Sequence, residues 1–326
     1  MSGEPLGEFG RIRRFFAPLA GRGGLDLRDD AALIACDAEN RLVVTVDALV
    51  AGVHYLPDDP PDLVARKLLR VNLSDLAAMG ARPRHYLLMT ALPAALGDDW
   101  VEQFAAGLVE DQRRYGIHLL GGDSVATDGP AVLSLTAIGE VAIGAEIRRN
   151  GARVGDQIWV SGTIGDAFLG LAILRGAYTE LPGERRKDLI RRFQLPEPRV
   201  ELGPRLAGIA HAMLDVSDGL VADLGHVCEA SQVGATIALP QLPVSAAARQ
   251  LIAGAPELAL QLATAGDDYE LLFTAAPEHA DQVRGLSIEL GVPITAIGTI
   301  ESDLGVRVFD ASGQPVSVTV TGYRHF

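Results

Sequence analysis

Apolar residues along this chain recur in two rhythms, and the switches between them mark out its elements. Residues 41–46, RLVVTV, are a short β-branched run that predicts a buried strand ending at Asp47. From Asp62 to Met79 the period changes. Val64, Leu68 and Val71 step by three or four, Gly80 stands where a helix would stop, and Pro83 lies just beyond. A strand-like HYLLMTALP (85–93), a helical pattern over 98–115, and IHLLGGDS (117–124), a strand expected to enter a glycine-rich turn, come next. AVLSLTAIGEVAIG (131–144) reads as a long or bent strand.

Near residue 150 the texture changes. Gly151, Gly155, Gly162 and Gly165 punctuate the chain and QIWVSG (157–162) starts a new strand, which divides the protein into 1–150 and 151–326. The second part predicts helices at 166–175, 184–193 and 199–210, a strand at 212–216, a helix at 218–230 and a strand at 235–239. Two weaker helices, a strand at 269–275, a helix at 277–290, a strand at 294–300 and a β-tail complete it. Such alternation in both parts predicts an α/β or α+β fold, and 326 residues suit two domains. RIRRFFAPLAG (11–21) reads as a short amphipathic helix, too short and too acidic upstream for a secretory signal, and no run approaches a membrane span.

One helical segment raises a question. VNLSDLAAMGARP (71–83) is small and apolar outside but carries Asn72, Ser74 and Asp75 inside. Either Ser74-Asp75 caps a new helix, or the helix continues and holds an internal polar site. Asn72 and Asp75 are three apart and share a face, with Lys67 near the same stripe. Spacing alone leaves both readings open.

Composition and charge narrow the chemistry. The net charge of −14 disfavours nucleic acid and anionic membrane, and it means that an anionic substrate needs a local cation. Cys36 and Cys228 form no CxxC, which suits a reduced, intracellular, cytoplasmic protein. The only lysines, Lys67 and Lys187, each follow an arginine, so no Gly-Lys pair exists and a Walker A loop is excluded. The seven histidines make neither HxH nor HExxH, and no GxSxG occurs.

Carboxylates, by contrast, recur at strand ends and glycine turns: Asp29-Asp30, Asp47, Asp75, Asp123, Asp215, Asp218, Asp267-Asp268 and Glu270. One such aspartate is ordinarily a turn or cap residue, and Asp218 before Gly219 has a strong cap signature. Their repetition points further, because open α/β sheets place ligands beyond strand ends. Two converging carboxylates about 4 Å apart repel by roughly 4 kcal/mol at an effective dielectric near 20, so protons or cations must compensate. Hard oxygen ligands without His or Cys suit Mg²⁺, which commonly accompanies phosphates.

Taken together, the segments GEFGRI (7–12), DDAAL (29–33), TVDALVAGVHY (45–55), VNLSDLAAMGARP, GGDS (121–124), RRNGARVGD (148–156), VSGTIGDA (160–167), LDVSDGLVADL (214–224), GDDYELLFT (266–274) and GYRHF (322–326) resemble the thiamine-monophosphate kinase family. That family belongs to the PurM-like superfamily of aminoimidazole ribonucleotide synthetase. The resemblance spans nearly the whole chain in order. It implies an α/β (α+β) two-domain fold: a dimerising N-terminal domain (1–150) that binds ATP and Mg²⁺ and forms a cross-dimer β-barrel, and a C-terminal α/β domain (151–326). It also implies Mg²⁺-assisted in-line transfer of the ATP γ-phosphoryl to thiamine phosphate in a homodimer, with no general base.

Position by position, Asp30, Thr45, Asp47, Asp75, Asp123, Asp215 and Asp218 match the family's Mg²⁺ ligands. Gly122, Asp123, Arg149 and Ser217 match ATP contacts, and His54, Asp267 and Tyr323 match contacts to thiamine phosphate. The resemblance also makes Asn72 and Ser74 supports of Asp75, with Ala77, Ala78 and Gly80 as room for close packing. The chain departs from the family where Arg28 replaces glycine, Val46 threonine, Ala51 glutamate and Asp267 glutamate, and where Tyr323 stands at a position often tryptophan. Competing readings are another PurM-like ATP-dependent enzyme, a Mg²⁺-dependent phosphatase and a non-catalytic nucleotide- or metal-binding module. A selenophosphate synthetase would need a reactive cysteine near its N-terminus, and none precedes Cys36.

Overall fold

A computed structural model describes residues 12–21, 37–319 and 321–323. Arg28, Asp29, Asp30 and Cys36 lie outside the described residues, as do positions 7–11 and 324–326. The chain divides into two compact units, Met1–Leu76 with Ala81–Gly144, and Ala77–Gly80 with Ala145–Phe326. The expected amphipathic helix near the start is two short helical turns, Ile12–Phe16 and Ala17–Leu19.

In the first unit β1 (Asn40–Val50), β2 (Arg82–Pro93), β3 (His118–Thr127) and β4 (Val132–Ala142) form one sheet in the order β1-β4-β2-β3. Helix α1 (Pro61–Ala78) joins β1 to β2, and α2 (Asp98–Tyr115) joins β2 to β3. The second connection is a crossover, so β2 and β3 are parallel, whereas β4 pairs antiparallel with both β1 and β2. Helix α1 opens on Pro61 with Asp62 in its first turn, and α2 runs from Asp98-Asp99 to Arg113-Arg114, each arrangement matching the helix dipole.

One face of the sheet carries the core. Leu68, Leu69, Leu73 and Leu76 from α1, Phe104 and Leu108 from α2, Tyr86 from β2 and Leu133 and Leu135 from β4 are all fully buried. Each such residue contributes roughly 2 kcal/mol of burial. The other face is open, and here the expectation of a buried β1 needs correction. Only alternate residues of RLVVTV are covered, and Leu42, Val44 and Val46 are 42%, 60% and 61% exposed. The glycine-rich turn expected at 121–124 is also strand. A Cβ on Gly122 would lie 1.8 Å from the Leu88 carbonyl oxygen, so this glycine lets β3 press against β2 beside a register shift at Tyr86/Leu87.

The second unit contains β5 (Gln157–Ser161), β6 (Ala210–Asp215), β7 (Gly234–Ala238), β8 (Leu271–Ala275), β9 (Ile294–Glu301), β10 (Gly305–Phe309) and β11 (Pro315–Val316). They form a mixed sheet ordered β11-β10-β7-β9-β5-β8-β6. Its helices are α3 (Asp166–Leu174), α4 (Gly183–Gln194), α5 (Leu202–Arg205), α6 (Leu220–Ser231), α7 (Ala246–Gly254), α8 (Leu258–Thr264) and α9 (Ala280–Leu290). Strand residues alternate between two cores. Ile158, Val160, Leu214 and Leu272 pack with α3, α6 and α8. Trp159, Met213 and Phe273 pack with Leu202, Leu206, Val283 and Leu286, and with Ala77 and Ala78 from the last turn of α1. The helix expected over 199–210 is only the four residues of α5. Gly203 and Pro204 are poor helix formers, Gly208 turns the chain, and β6 starts at Ala210.

Candidate functional site

Helix α1 runs unbroken through Ser74 and Asp75, so neither is a cap. Ser74 and Asn72 are completely buried. Thr45 and Asp47 alternate onto the covered face of β1, and α1 meets them there. The Thr45 hydroxyl donates to Asp75 Oδ2 at 2.6 Å, and the Asp47 backbone N–H donates to Asn72 Oδ1 at 3.1 Å. Asn72 in turn donates its amide to the Leu68 carbonyl oxygen of its own helix at 2.9 Å, which fixes the orientation of its acceptor. The three-residue spacing of Asn72 and Asp75 thus sets two polar groups against two adjacent inward positions of one strand.

Thr45, Asp47 and Asp75 therefore converge. Burial, the charge of Asp75 and a hydrogen bond between the two carboxyls push Asp47 up to about 7. A carboxyl whose ionisation is opposed in this way is one that a bound cation would stabilise in its charged form.

His54 follows at the end of β1. Its Nδ1 accepts from the Val50 backbone N–H at 3.0 Å, so in the neutral ring Nε2 carries the proton. Lys67, almost completely buried on α1, donates its ammonium to the His54 carbonyl oxygen at 2.9 Å. Lys67, Asn72 and Asp75 hence tie one helix to β1 and its following turn. Farther along, Arg66 and Arg70 of α1 clamp the fully buried Asp111 of α2, with Arg70 Nε 2.6 Å from Asp111 Oδ2. Gly122 and Asp123 sit elsewhere. They lie on β3, at the opposite edge of the sheet from β1, where Asp123 stands beside Met89 and accepts from the Ser124 N–H at 2.9 Å.

In the second unit a different group assembles where β6 ends. Asp215 is the last residue of β6 and is buried; Ser217 and Asp218 follow in the turn before α6. The expected capping role of Asp218 belongs instead to Asp223, one turn inside α6. Its Oδ2 accepts from the backbone N–H groups of Ser217, Asp218 and Gly219, each at 3.1 Å. Desolvation and the charge of Asp218 nevertheless push Asp223 up to about 7, against the lowering effect of those three bonds. Asp223 was not legible as a site residue, because ADL reads as an ordinary helix face.

Two further segments close on this turn. The Asp267 N–H donates to the Ser217 carbonyl oxygen at 2.8 Å, and the Tyr323 N–H donates to the Asp218 carbonyl oxygen at 2.9 Å. Asp215, Ser217, Asp218, Asp267 and Tyr323 are thereby gathered. The Tyr323 ring is 52% exposed, and Asp267 Oδ1 accepts from the Tyr269 hydroxyl at 3.2 Å. Arg149 is exposed in a short helical turn, Arg149–Gly151, whose Arg149 carbonyl oxygen accepts from Ser231 Oγ of α6 at 3.0 Å.

Each unit has donors of a kind that fits Mg²⁺: a hydroxyl and carboxylates at Thr45, Asp47 and Asp75 in the first, and carboxylates at Asp215 and Asp218 in the second. Among the described residues no three acidic, histidine or cysteine side chains form a ready cage. Mg²⁺ asks for none, since it is commonly held by one or two carboxylates, water and substrate phosphate. No described helix is long and apolar enough to cross a membrane.

Comparison with known proteins places this geometry. Residues 28–141 match the model of AIR synthase related protein, N-terminal domain, and residues 153–311 match the corresponding C-terminal domain. The thiamine-monophosphate kinase of Caulobacter vibrioides is 41% identical, with 98% of this chain and 91% of that one covered. A crystal structure of thiamine-monophosphate kinase from Stenotrophomonas maltophilia superposes with a TM-score of 0.82 at 43% identity, covering 89% of this chain and 91% of that one. AaThiL complexed with AMPPCP and TMP gives 0.78 at 31% identity, covering 100% and 99%. The two-unit α/β architecture, the carboxylates at strand ends and full-length identity near 40% all lead to one assignment: the chain belongs to the thiamine-monophosphate kinase family, within the AIR synthase related proteins.

Proposed function

We propose that this protein is an ATP:thiamine-phosphate phosphotransferase, moving the γ-phosphoryl of ATP onto thiamine phosphate to give thiamine diphosphate. The observation that carries the reading is the 41% identity to a named thiamine-monophosphate kinase over 98% of the chain. Two converging carboxyls, with Asp47 pushed up to about 7 by burial and by Asp75, support it chemically as a place for a cation.

The acceptor in such a reaction is a phosphate oxygen that is already ionised at neutral pH. The work left to the protein is alignment and neutralisation of charge. Thr45, Asp47, Asp75 and Asp123 in the first unit, Asp215 and Asp218 in the second, and Asp30 would hold Mg²⁺. When bound, Mg²⁺ supplies positive charge against the phosphates and the developing charge of the transferred group. The Thr45 hydroxyl and Asn72 amide hold Asp75 and the Asp47 backbone in place before substrate arrives. Gly122, Asp123, Arg149 and Ser217 would contact ATP. His54 offers Nε2–H to a phosphate, Asp267 offers a carboxylate to a cationic heterocycle, and Tyr323 offers an exposed ring for stacking.

The exposed apolar face of the first sheet supports a homodimer that pairs across it: Leu42, Val44 and Val46 on β1, Leu87 and Met89 on β2, and Val125 on β3. We assign the ATP- and Mg²⁺-binding, dimerising role to residues 1–150 and the C-terminal α/β role to 151–326. The cytoplasm, as a source of ATP, is the compartment this reading implies. The test is release of ADP with Mg²⁺ and ATP, with and without thiamine phosphate. ADP should form only when thiamine phosphate is present, and one-for-one with thiamine diphosphate. Equal ADP in its absence would make the protein a phosphatase.

A further inference from the structure

Residues 266–270 connect α8 to β8 and carry Asp267, and their backbone is under strain. Asp267 and Tyr269 both take left-handed conformations, with φ of 72° and 52°, and neither is glycine. Between them Asp268 is 1% exposed, and Glu270 immediately after is fully buried. Side chains thus alternate: Asp267 and Tyr269 face outward and bond one another, while Asp268 and Glu270 enter the interior.

The two inward carboxyls grip different elements. Asp268 Oδ2 accepts from the Gly165 N–H, at the start of α3, at 2.8 Å. Glu270 accepts from Ser161 Oγ of β5 at 2.6 Å, from Arg192 Nη2 of α4 at 2.8 Å, and from both Nε and Nη2 of Arg199. A Cβ on Gly162 would lie 2.0 Å from Glu270 Oε1, so glycine there is what admits the Glu270–Arg199 pair. On its other flank the segment bonds through its backbone to Val216 and Ser217. The strained turn is therefore held on both sides.

We propose that Asp268 and Glu270 are positioning residues for the kinase reaction, locking residues 266–269 in the left-handed turn that presents Asp267 and Tyr269 to thiamine phosphate. The proposal rests on the functional reading above and deepens it. Asp268 acts through Asp267 and does not itself reach substrate. Burial drives its carboxyl well above the usual carboxylate range, against the Gly165 N–H and Arg192, with Asp166 and Glu270 adding to the rise. Its Oδ1 and the Oδ1 of Asp166 are both buried without a partner. An amide can replace such a group, keeping the acceptor for Gly165 and adding a donor.

Full-length Asp268→Ala, Asp268→Asn and Arg192→Gln are compared with wild type for thermal midpoint, kcat, and KM for each substrate. Asp268→Ala should raise the KM for thiamine phosphate by about 10- to 100-fold, the scale of a misplaced contact, with the KM for ATP within about twofold. Asp268→Asn should restore it to within about threefold of wild type. If Asp268→Ala does not fold, Arg192→Gln, which leaves Arg199 on Glu270, carries the test through the same selective rise. Unchanged KM for thiamine phosphate in the folded variants, a parallel rise in both KM values, or failure of asparagine to rescue overturns the proposal. A wild type that makes no thiamine diphosphate overturns the functional reading, and this proposal with it.

Discussion

Replacing Asp75 by asparagine removes one charge from a pair in which burial and Asp75 push Asp47 up to about 7. Thr45 Oγ1 can still donate to the amide oxygen, so the local hydrogen bond survives while the proposed Mg²⁺ ligand weakens. Turnover should fall by about 100-fold or more, on the scale of lost transition-state charge stabilisation. The thermal midpoint in chelator should stay level or rise, because Asp47 then loses the neighbouring charge that opposes its own ionisation. A midpoint that drops in proportion to activity would return Asp75 to a structural role. At this scale the sequence was informative where periodicity constrains direction: the three-residue step from Asn72 to Asp75 put both on one face, and both meet β1. It was silent on Asp223, whose role depends on how the turn before α6 folds back over it, and on the left-handed backbone at Asp267 and Tyr269.

Strand β1 serves two masters, and that is why its pattern was misleading. Its inward positions carry Val43, Thr45, Asp47 and Leu49; its outward ones carry Leu42, Val44 and Val46, so the apolar residues of RLVVTV fall mostly on the outward face and the run reads as buried. Period-two alternation cannot tell an apolar face that the chain itself covers from one that it leaves exposed. If that face joins two copies, Val46→Asp should convert the dimer to a monomer in sedimentation or light scattering, since an unpaired charge would be desolvated at the interface. An unchanged mass would move the dimer contact elsewhere. Strand β3 misled in another way, because Gly121-Gly122 looks like a turn until the close approach to Leu88 is seen. Long elements such as α1 and α2 were legible because many periodic apolar positions agree.

Across the whole molecule the acidic balance of −14 meets two carboxyls, Asp47 in one unit and Asp223 in the other, that sit at about 7 instead of the ordinary 3.8. A carboxyl raised by folding binds its proton more tightly in the native chain than in the unfolded one. Its contribution is full below the unfolded value and is lost as pH climbs from about 4 to about 7. In chelator, wild type should therefore lose more stability between pH 5 and pH 8 than Asp47→Asn does, and Mg²⁺ should shrink that loss. Thermal unfolding at the two pH values measures it; equal losses in wild type and variant would remove Asp47 from the account. Among the described residues the order of most α and β elements was readable from the sequence. Which carboxylates meet was not, since that depends on register and on residues far apart in sequence.

The most direct measurement follows the phosphoryl group itself. ATP labelled with ³²P at the γ position is incubated with the protein, Mg²⁺ and thiamine phosphate, and the products are separated. Label in the terminal phosphate of thiamine diphosphate, matched one-for-one by ADP, is the expected result. Label found only in inorganic phosphate, or left wholly in ATP, would contradict the assignment as a thiamine-phosphate kinase.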